Sequence, residues 1–243
     1  MTTLCLDFGN SLLKAALFIN GDFNKEFILK NDSDNTIQEI IDTYKPNKSI
    51  LSSVIDHNPE IESILNTSTL FHKVSANTKQ NFVTKVSKPA TVGPDRIALM
   101  AAAKTFFPNY NTLVIAAGSC ITYNFMNQYG HFLGGSISPG IAMRFKSMHD
   151  YTAKLPLVSS DWNIPMMGYD TKTNLQSGVM NGVICEIDGM IEKYQNKYNK
   201  FNVVLTGGNL SDFASQLKNR IFADAYFLFK GLYVLSEINN QAS

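Results

Sequence analysis

"LCLDFGNSLLKAALFINGDF" (residues 4–23) and "LVIAAGSCITYNFMNQYGHF" (residues 113–132) repeat one pattern at an offset of 109, the step from Leu4 to Leu113. Leu6 then meets Ile115, Gly9 meets Gly118, Gly21 meets Gly130 and Phe23 meets Phe132. Each copy reads as a strand, a turn of small residues, a second strand, a glycine turn and a third strand. Matching glycines at both turns predict two copies of one supersecondary unit. The first copy carries an acid, Asp7, where its first apolar run ends. A hairpin accounts for the glycine but not for the carboxylate.

The rest of the chain fits two α/β halves. Residues 36–44 place Ile37, Ile40 and Ile41 on one helical face, and residues 49–55 read as a short strand. Residues 95–107 form a strong helical pattern, with Asp95 near its start and Pro108 just beyond it. A long helix is expected from about Asn174 to Tyr198, a strand over 201–208 and a last helix near "GLYVLSEIN" (231–239). The aromatic-rich stretch 225–235 reads as core. The predicted boundary gives domains 1–110 and 111–243, with no low-complexity linker between them and a cleft between the halves.

Composition narrows the function. The 243 residues are 44% hydrophobic with a formal net charge of +1. That supports well-filled cores and argues against broad electrostatic capture of nucleic acid or of an anionic membrane. No run reaches the ~18 apolar residues of a membrane span. The chain passes from Met1-Thr2-Thr3 directly into a strand pattern, so a cytoplasmic protein without a signal peptide is expected. Cys5, Cys120 and Cys185 form neither a zinc pattern nor a disulfide framework, and are expected to be reduced, buried thiols. His57, His72, His131 and His149 form no ligand motif and are expected to be structural or surface residues.

Three strands end in small residues, at "DFGNS" (7–11), "AAGSC" (116–120) and "TGGN" (206–209). One such turn is ordinarily a tight hairpin. Three together, two of them in duplicated units, point to phosphate, because glycine turns let backbone N–H groups approach phosphate oxygens. A carboxylate beside such a turn suits Mg²⁺, which accounts for Asp7. The arrangement resembles the actin/hexokinase/Hsp70-type ATPases, whose two ribonuclease H-like domains clamp ATP in a cleft.

Within that superfamily, "DFGNSLLK" (7–14), "GPDR" (93–96), "GGSISPGIAMRFKSMHDYTAKLP" (134–156), "TKTNLQSGVMNG" (171–182) and "LTGG" (205–208) resemble, in order, the motifs of type III pantothenate kinases. The resemblance spans essentially the whole chain, and its most specific block is Gly134 to Pro156. It implies ATP-dependent phosphorylation of pantothenate to 4′-phosphopantothenate, the first step of coenzyme A biosynthesis. It also implies ATP with Mg²⁺, a monovalent cation (K⁺ or NH₄⁺) and a homodimer with the pantothenate pocket at the subunit interface. By the same resemblance, Asp7, Phe8, Gly9, Asn10, Ser11, Leu12, Leu13 and Lys14 form the first phosphate loop, with Asp7 toward Mg²⁺. Gly93, Pro94, Asp95 and Arg96 line the pantothenate pocket. Asp95 is the proton acceptor and Arg96 the partner of the pantothenate carboxylate, a task suited to a planar fork of donors. Ser119 touches ATP, and Thr171 reaches pantothenate from the partner subunit. From the residues alone, Asp95 beside Gly-Pro reads as a helix cap; with the resemblance it reads as cap and base together.

Three positions depart from the family pattern. Ala116 stands where the family carries the cation-binding aspartate, Asn124 where an acid often follows the hairpin threonine, and Val86 where a tyrosine is common. Alanine offers no side-chain oxygen, so the cation site is expected to be weak, rebuilt from carbonyls and water, or missing. The alternative reading is a catalytically weak relative acting as a binding or regulatory protein. The retained pair Asp7 and Asp95 argues against it, since binding alone has no need of either.

Overall fold

The computed structural model describes residues 1–208 and 210–241. By its internal contacts the chain divides into two units. The first holds Met1–Asn109, Tyr129–Gly134 and the segment from Tyr226 onward; the second holds Tyr110–Gln128 and Gly135–Ala225.

In the first unit, β1 (Thr2–Phe8), β2 (Leu13–Ile19) and β3 (Asp22–Leu29) form an antiparallel meander. After α1 (Asp34–Tyr44), β4 (Lys48–Ser53) joins parallel to β1; after α2 (Glu60–Ser68), β5 (Leu70–Lys73) joins parallel to β4. The sheet order is β3-β2-β1-β4-β5. Ser33 caps α1 by accepting from the Thr36 N–H, and Lys45 ends it in the left-handed region at φ 43°. The helix buries Ile37, Ile40 and Ile41 against Leu4, Leu6, Leu17 and Leu51, each fully buried side chain contributing about 1.5–3 kcal/mol. The short β6 (Val83–Thr84) pairs with His131 and Phe132.

The second unit repeats this order. β7 (Asn111–Ala117) and β8 (Cys120–Met126) pair antiparallel, and β9 (His131–Pro139), which begins in the first unit, follows β8 in the sheet. After α4 (Ile141–Asp150) and α5 (Thr171–Gln195), β10 (Phe201–Gly207) joins parallel to β7. After α6 (Leu210–Gln216), β11 (Phe222–Ala223) joins parallel to β10. The strand run β9-β8-β7-β10-β11 therefore matches β3-β2-β1-β4-β5 position for position. The duplicated α/β unit expected from the 109-residue offset is present as topology.

Two helices close the first unit. α3 (Pro94–Phe106) and α7 (Phe227–Asn239) pack together, and α7 also packs on β1 and β4. An added Cβ at Gly231 would lie 1.9 Å from the Ala98 carbonyl oxygen, so the two backbones approach as closely as glycine and the run Ala101-Ala102-Ala103 allow. The sequence reading assigned α7 and residues 129–134 to 111–243. Their contacts are with the first unit: α7, with Phe227, Phe229, Leu232 and Leu235 buried, packs on α3, β1 and β4, and His131 and Phe132 pair with β6.

The long helix α5 starts at Thr171, three residues before its expected start. Asp170 and Thr173 form a reciprocal capping box that the apolar periodicity does not reveal. All three cysteines are free. Only Cys5 is buried; Cys120 is half-buried and Cys185 exposed on α5, a correction to the expectation of buried thiols. Asn209, the last residue of the "TGGN" turn, lies outside the described residues. Among the described residues, no helix is long and apolar enough to cross a membrane.

Candidate active site

Asp7 lies at the end of the first unit's central strand, and Asp95 in the first turn of its helix α3. Asp7 is the sixth residue of β1, flanked in register by Lys14 on β2 and Ser52 on β4. The buried Ser52 hydroxyl donates to Asp7 Oδ1 at 3.1 Å. Burial pushes the Asp7 carboxyl up to about 7, and the negative charge of Asp95 adds to the rise; the Ser52 hydrogen bond and the Lys14 charge oppose it. The Asp95 charge therefore opposes ionisation of Asp7, a repulsion that a nearby cation would relieve; among the described residues, no cluster of three or more acid, histidine or cysteine side chains forms a ready-made metal cage.

The phosphate-loop residues separate into backbone and side-chain roles. Phe8 is fully buried, its ring edge-on to His57, so only its backbone faces the turn. The Gly9 N–H closes the turn on the Leu12 carbonyl at 3.1 Å. Asn10, Ser11 and Leu12 are exposed beyond it, and Leu13 packs into the core. Lys14 Nζ lies 2.8 Å from Glu26 Oε1 on β3, which aims the ammonium.

Asp95 lies in the first turn of α3. The helix is capped by the backbone of Gly93, and no side chain caps it, so the expected role of Asp95 as N-cap is corrected. Its carboxylate instead folds back onto the first-turn amides of Asp95 and Arg96. Burial raises its proton affinity above the ordinary carboxylate value, against these amides and the Arg96 charge. An added Cβ at Gly93 would lie 2.5 Å from Asp95 Oδ1, which explains the glycine there: its φ of −59° suits any residue, but the carboxylate occupies the side chain's place. The Arg96 guanidinium stacks over Phe132 at 5.6 Å. Burial lowers its proton affinity while Asp95 restores part of it. Val86 packs near Gly134, where an added Cβ would be 3.5 Å away.

In the second unit, the turn after β7 is held on two sides. The Gly140 N–H donates to the Ser119 carbonyl at 3.0 Å, and the Gly208 N–H to the Ala117 carbonyl at 3.0 Å. Added Cβ atoms at Gly140 and Gly207 would sit 2.2 Å from the Gly118 and Ala117 carbonyl oxygens. Two of the three glycine turns expected from sequence thus pack directly on one another. Ala116 is flanked in register by Thr122 and Thr206. Asn124 is fully buried and donates to the Val114 carbonyl and to Thr122 Oγ1. Thr171 opens α5 and lines a groove of about 610 Å³ with Arg144, Ser147, Asn174 and the apolar Met148, Leu155 and Val179.

Sequence reading missed three supporting residues. Ser52 and Glu26 lie inside strands, where nothing in the pattern marks a hydrogen bond to Asp7 or an ion pair with Lys14. Gly140 lay within the quoted "SISPG" block, but its seat against Ser119 is a tertiary contact. His57 lies between Ser53 and Glu62, with its ring nitrogens 2.9 and 3.1 Å from their oxygens, and so joins a structural network.

Two duplicated sheet units ending in glycine turns, with an acid at the end of the first strand, define the class: the actin-like ATPase fold. Solved structures bear this out. A Baf family protein from Campylobacter jejuni matches with a TM-score of 0.62 at 24% identity, over 97% of this chain and 98% of that one. A glucokinase from an Antarctic psychrotroph matches at 0.53 and 10% identity, over 98% and 99%. Sequence comparison resolves the family. The type III pantothenate kinase model matches residues 3–193. Proteins named type III pantothenate kinase from Christiangramia forsetii (37% identical, over 97% of this chain and 98% of that protein) and Cytophaga hutchinsonii (39%, over 94% and 96%) align along nearly the full length. This chain belongs to the type III pantothenate kinase family.

Proposed function

We propose that this protein transfers the γ-phosphoryl group of ATP to the primary hydroxyl of pantothenate, giving 4′-phosphopantothenate and ADP, the first step of coenzyme A biosynthesis. The observation that carries the site assignment is Asp95: a part-buried carboxylate of raised proton affinity beside Arg96, in the same unit as Asp7. Asp95 accepts the hydroxyl proton as the oxygen bonds to the γ-phosphorus and the bond from that phosphorus to the ADP oxygen breaks. A base stronger than an ordinary carboxylate suits a proton that leaves late in a loose phosphoryl transfer. Arg96 pairs with the pantothenate carboxylate, with Gly93 and Pro94 shaping the pocket. Lys14 and the backbone from Phe8 to Leu13 cradle phosphate, and Ser119 contacts the nucleotide. Asp7 would hold Mg²⁺, which would supply neutralisation of phosphate charge when bound.

The working assembly in this reading is a cytoplasmic homodimer in which Thr171 reaches the partner's pantothenate pocket. Met166, Met167 and Tyr169, just before Thr171, are 88%, 82% and 81% exposed, an apolar surface that a second copy would cover. At Ala116 a K⁺ or NH₄⁺ ion finds threonine hydroxyls but no carboxylate, so cation dependence is weak.

Coupled ADP release with pantothenate as acceptor tests the activity, with mass detection of the phosphorylated product. Absence of pantothenate-dependent ADP release in K⁺, NH₄⁺ and Na⁺ alike would leave the binding-protein reading. The shared pocket is tested by mixing Asp95→Ala with Thr171→Ala chains after each is found nearly inactive. With random subunit exchange, about a quarter of all sites become whole. Activity that stays at the parental level, when tagged mixed dimers are shown to form, rejects the shared pocket.

A further inference from the structure

A closed polar network in the second unit has no place in the assignment above. Glu186, midway along α5, accepts from the Tyr123 hydroxyl of β8 at 2.9 Å and from the Ser138 hydroxyl of β9 at 3.1 Å. Arg144 of α4 pairs with the same carboxylate, donates through Nη2 to Ser138 Oγ at 2.8 Å, and donates through Nε to the Pro139 carbonyl at 2.8 Å. Four elements are joined, and every contact is charged or charge-assisted. Burial would raise the Glu186 carboxyl, but the hydrogen bonds from Arg144, Tyr123 and Ser138 hold it below the ordinary value, so it stays ionised. The Tyr123 hydroxyl is raised by burial and by Glu186, and stays a donor.

The network ends one residue from the nucleotide turn. Pro139, whose carbonyl Arg144 grips, is followed by Gly140, whose N–H holds the Ser119 carbonyl and whose Cα leaves no room for a side chain against Gly118. A shift of the Pro139 peptide therefore reaches the turn without slack. Apolar residues could tie α4 to α5 as firmly. What they lack is the guanidinium fork, which fixes the direction of one carbonyl while its other arm is held by a carboxylate.

We propose that Arg144 and Glu186, with Tyr123 and Ser138, are positioning residues that set the Gly118–Ser119 turn for the nucleotide by aiming Pro139 and Gly140. The proposal rests on the reading that this turn meets ATP. It assigns Arg144 to nucleotide affinity, although the same residue lines the Thr171 groove.

The test uses the full chain with Glu186→Gln, Arg144→Lys and Tyr123→Phe, and with Ser119→Ala as control. Calorimetry with a non-hydrolysable Mg²⁺-ATP analogue gives affinity, and steady-state kinetics gives KM for each substrate. Glu186→Gln and Arg144→Lys are expected to weaken nucleotide binding about tenfold, the worth of one charge-assisted hydrogen bond, with KM for pantothenate unchanged. Tyr123→Phe, which removes one oxygen and folds in the same volume, should weaken it severalfold. Brace variants that bind nucleotide like the parent while Ser119→Ala does not would overturn the brace and leave the turn's assignment standing. A rise in KM for pantothenate alone would also overturn it, placing Arg144 in the groove wall. If neither Ser119→Ala nor any brace variant affects nucleotide binding, the turn's assignment falls and the brace with it. If the brace variants weaken binding and Ser119→Ala does not, the brace is supported as acting through the backbone of the turn, and the hydroxyl contact is removed.

Discussion

Across the end of β1 the side-chain row reads Lys14, Asp7, Ser52; across the end of β7 it reads Thr122, Ala116, Thr206. The strands around both rows share one topology, yet the first row carries a cation and an acid and the second carries none. The first turn is open: Asn10, Ser11 and Leu12 are exposed, and Leu12 shows 51% of its surface. The second is held by glycine on two sides, at Gly140 and Gly207. Duplication supplied two equivalent strand ends. In our assignment one provides charge and proton chemistry and the other provides shape.

The largest test of that division is Asp95→Asn. Asparagine keeps the size and the contact with the first-turn amides but accepts no proton. Turnover should fall by roughly 10²–10⁴, with little change in melting temperature. Near-normal turnover would remove Asp95 from the chemistry and the first unit from its assigned role.

Asp7→Asn comes next, with turnover lower by roughly 10²–10³ and a stability change of opposite sign. The folded-state carboxyl titrates at about 7, above its ordinary 3.8. Between those values the native state holds a proton that the unfolded chain has lost, so stability from this group is full below about 4 and declines as pH rises through 7. Asparagine removes that decline. In the absence of nucleotide and divalent ions, the variant should melt a few degrees above the parent at pH 8 and level with it at pH 4. A variant that melts lower at pH 8 would show that Asp7 is held ionised by its neighbours.

A pair of methyl groups sharpens the contrast. At Gly93 an added Cβ meets only the end of the Asp95 side chain; at Gly140 it meets the Gly118 carbonyl. Gly93→Ala should displace the base, cutting kcat by about tenfold while the melting temperature holds. Gly140→Ala should lower the melting temperature and nucleotide affinity together, because backbone must move. Equal losses of stability in the two variants would erase the distinction.

The architecture was legible because alternating apolar strands and paired glycines recur at one offset. The register inside the repeat was not. Phe8 pairs with Leu13 across Gly9, Asn10, Ser11 and Leu12, whereas Ala117 pairs with Ile121 across only Gly118, Ser119 and Cys120. Lys14 therefore corresponds to Thr122, one residue off the 109-residue frame, and the frame is recovered by the third strand, where Gly21 and Gly130 both have positive φ. A residue lost in one turn and regained in the next leaves the overall offset intact, so sequence comparison passes over it. Asp7 could be picked out because its carboxylate stands beside a glycine turn, whereas Asp95 and Arg96 were assigned through the family resemblance, since from the residues alone Asp95 reads as a helix cap. Ser52, Glu26 and the Glu186 network could not, since each matters only through what folding brings against it.

The smallest expected effect concerns Ala116, and it bears most directly on how the two rows diverged. Its neighbours Thr122 and Thr206 are nearly buried, and Asn124 already donates to the Thr122 hydroxyl oxygen, which occupies one of its lone pairs. That leaves little oxygen density and no negative charge for a monovalent cation, so the parent enzyme should work nearly as well in Na⁺ as in K⁺. Ala116→Asp restores to the second row the carboxylate that the first row has kept. With the Thr122 and Thr206 hydroxyls on either side, it adds the charge that holds a cation. K⁺ should then raise the variant's activity severalfold over Na⁺, saturating at millimolar salt, while both forms bind pantothenate alike. In the absence of added K⁺ the variant should be less active than the parent, because in our assignment an unrelieved carboxylate there would repel the nucleotide phosphates. If the parent is itself inactive in Na⁺ and saturates at low K⁺, a cation site exists without this side chain, and the second row is not the inert counterpart that its residues describe.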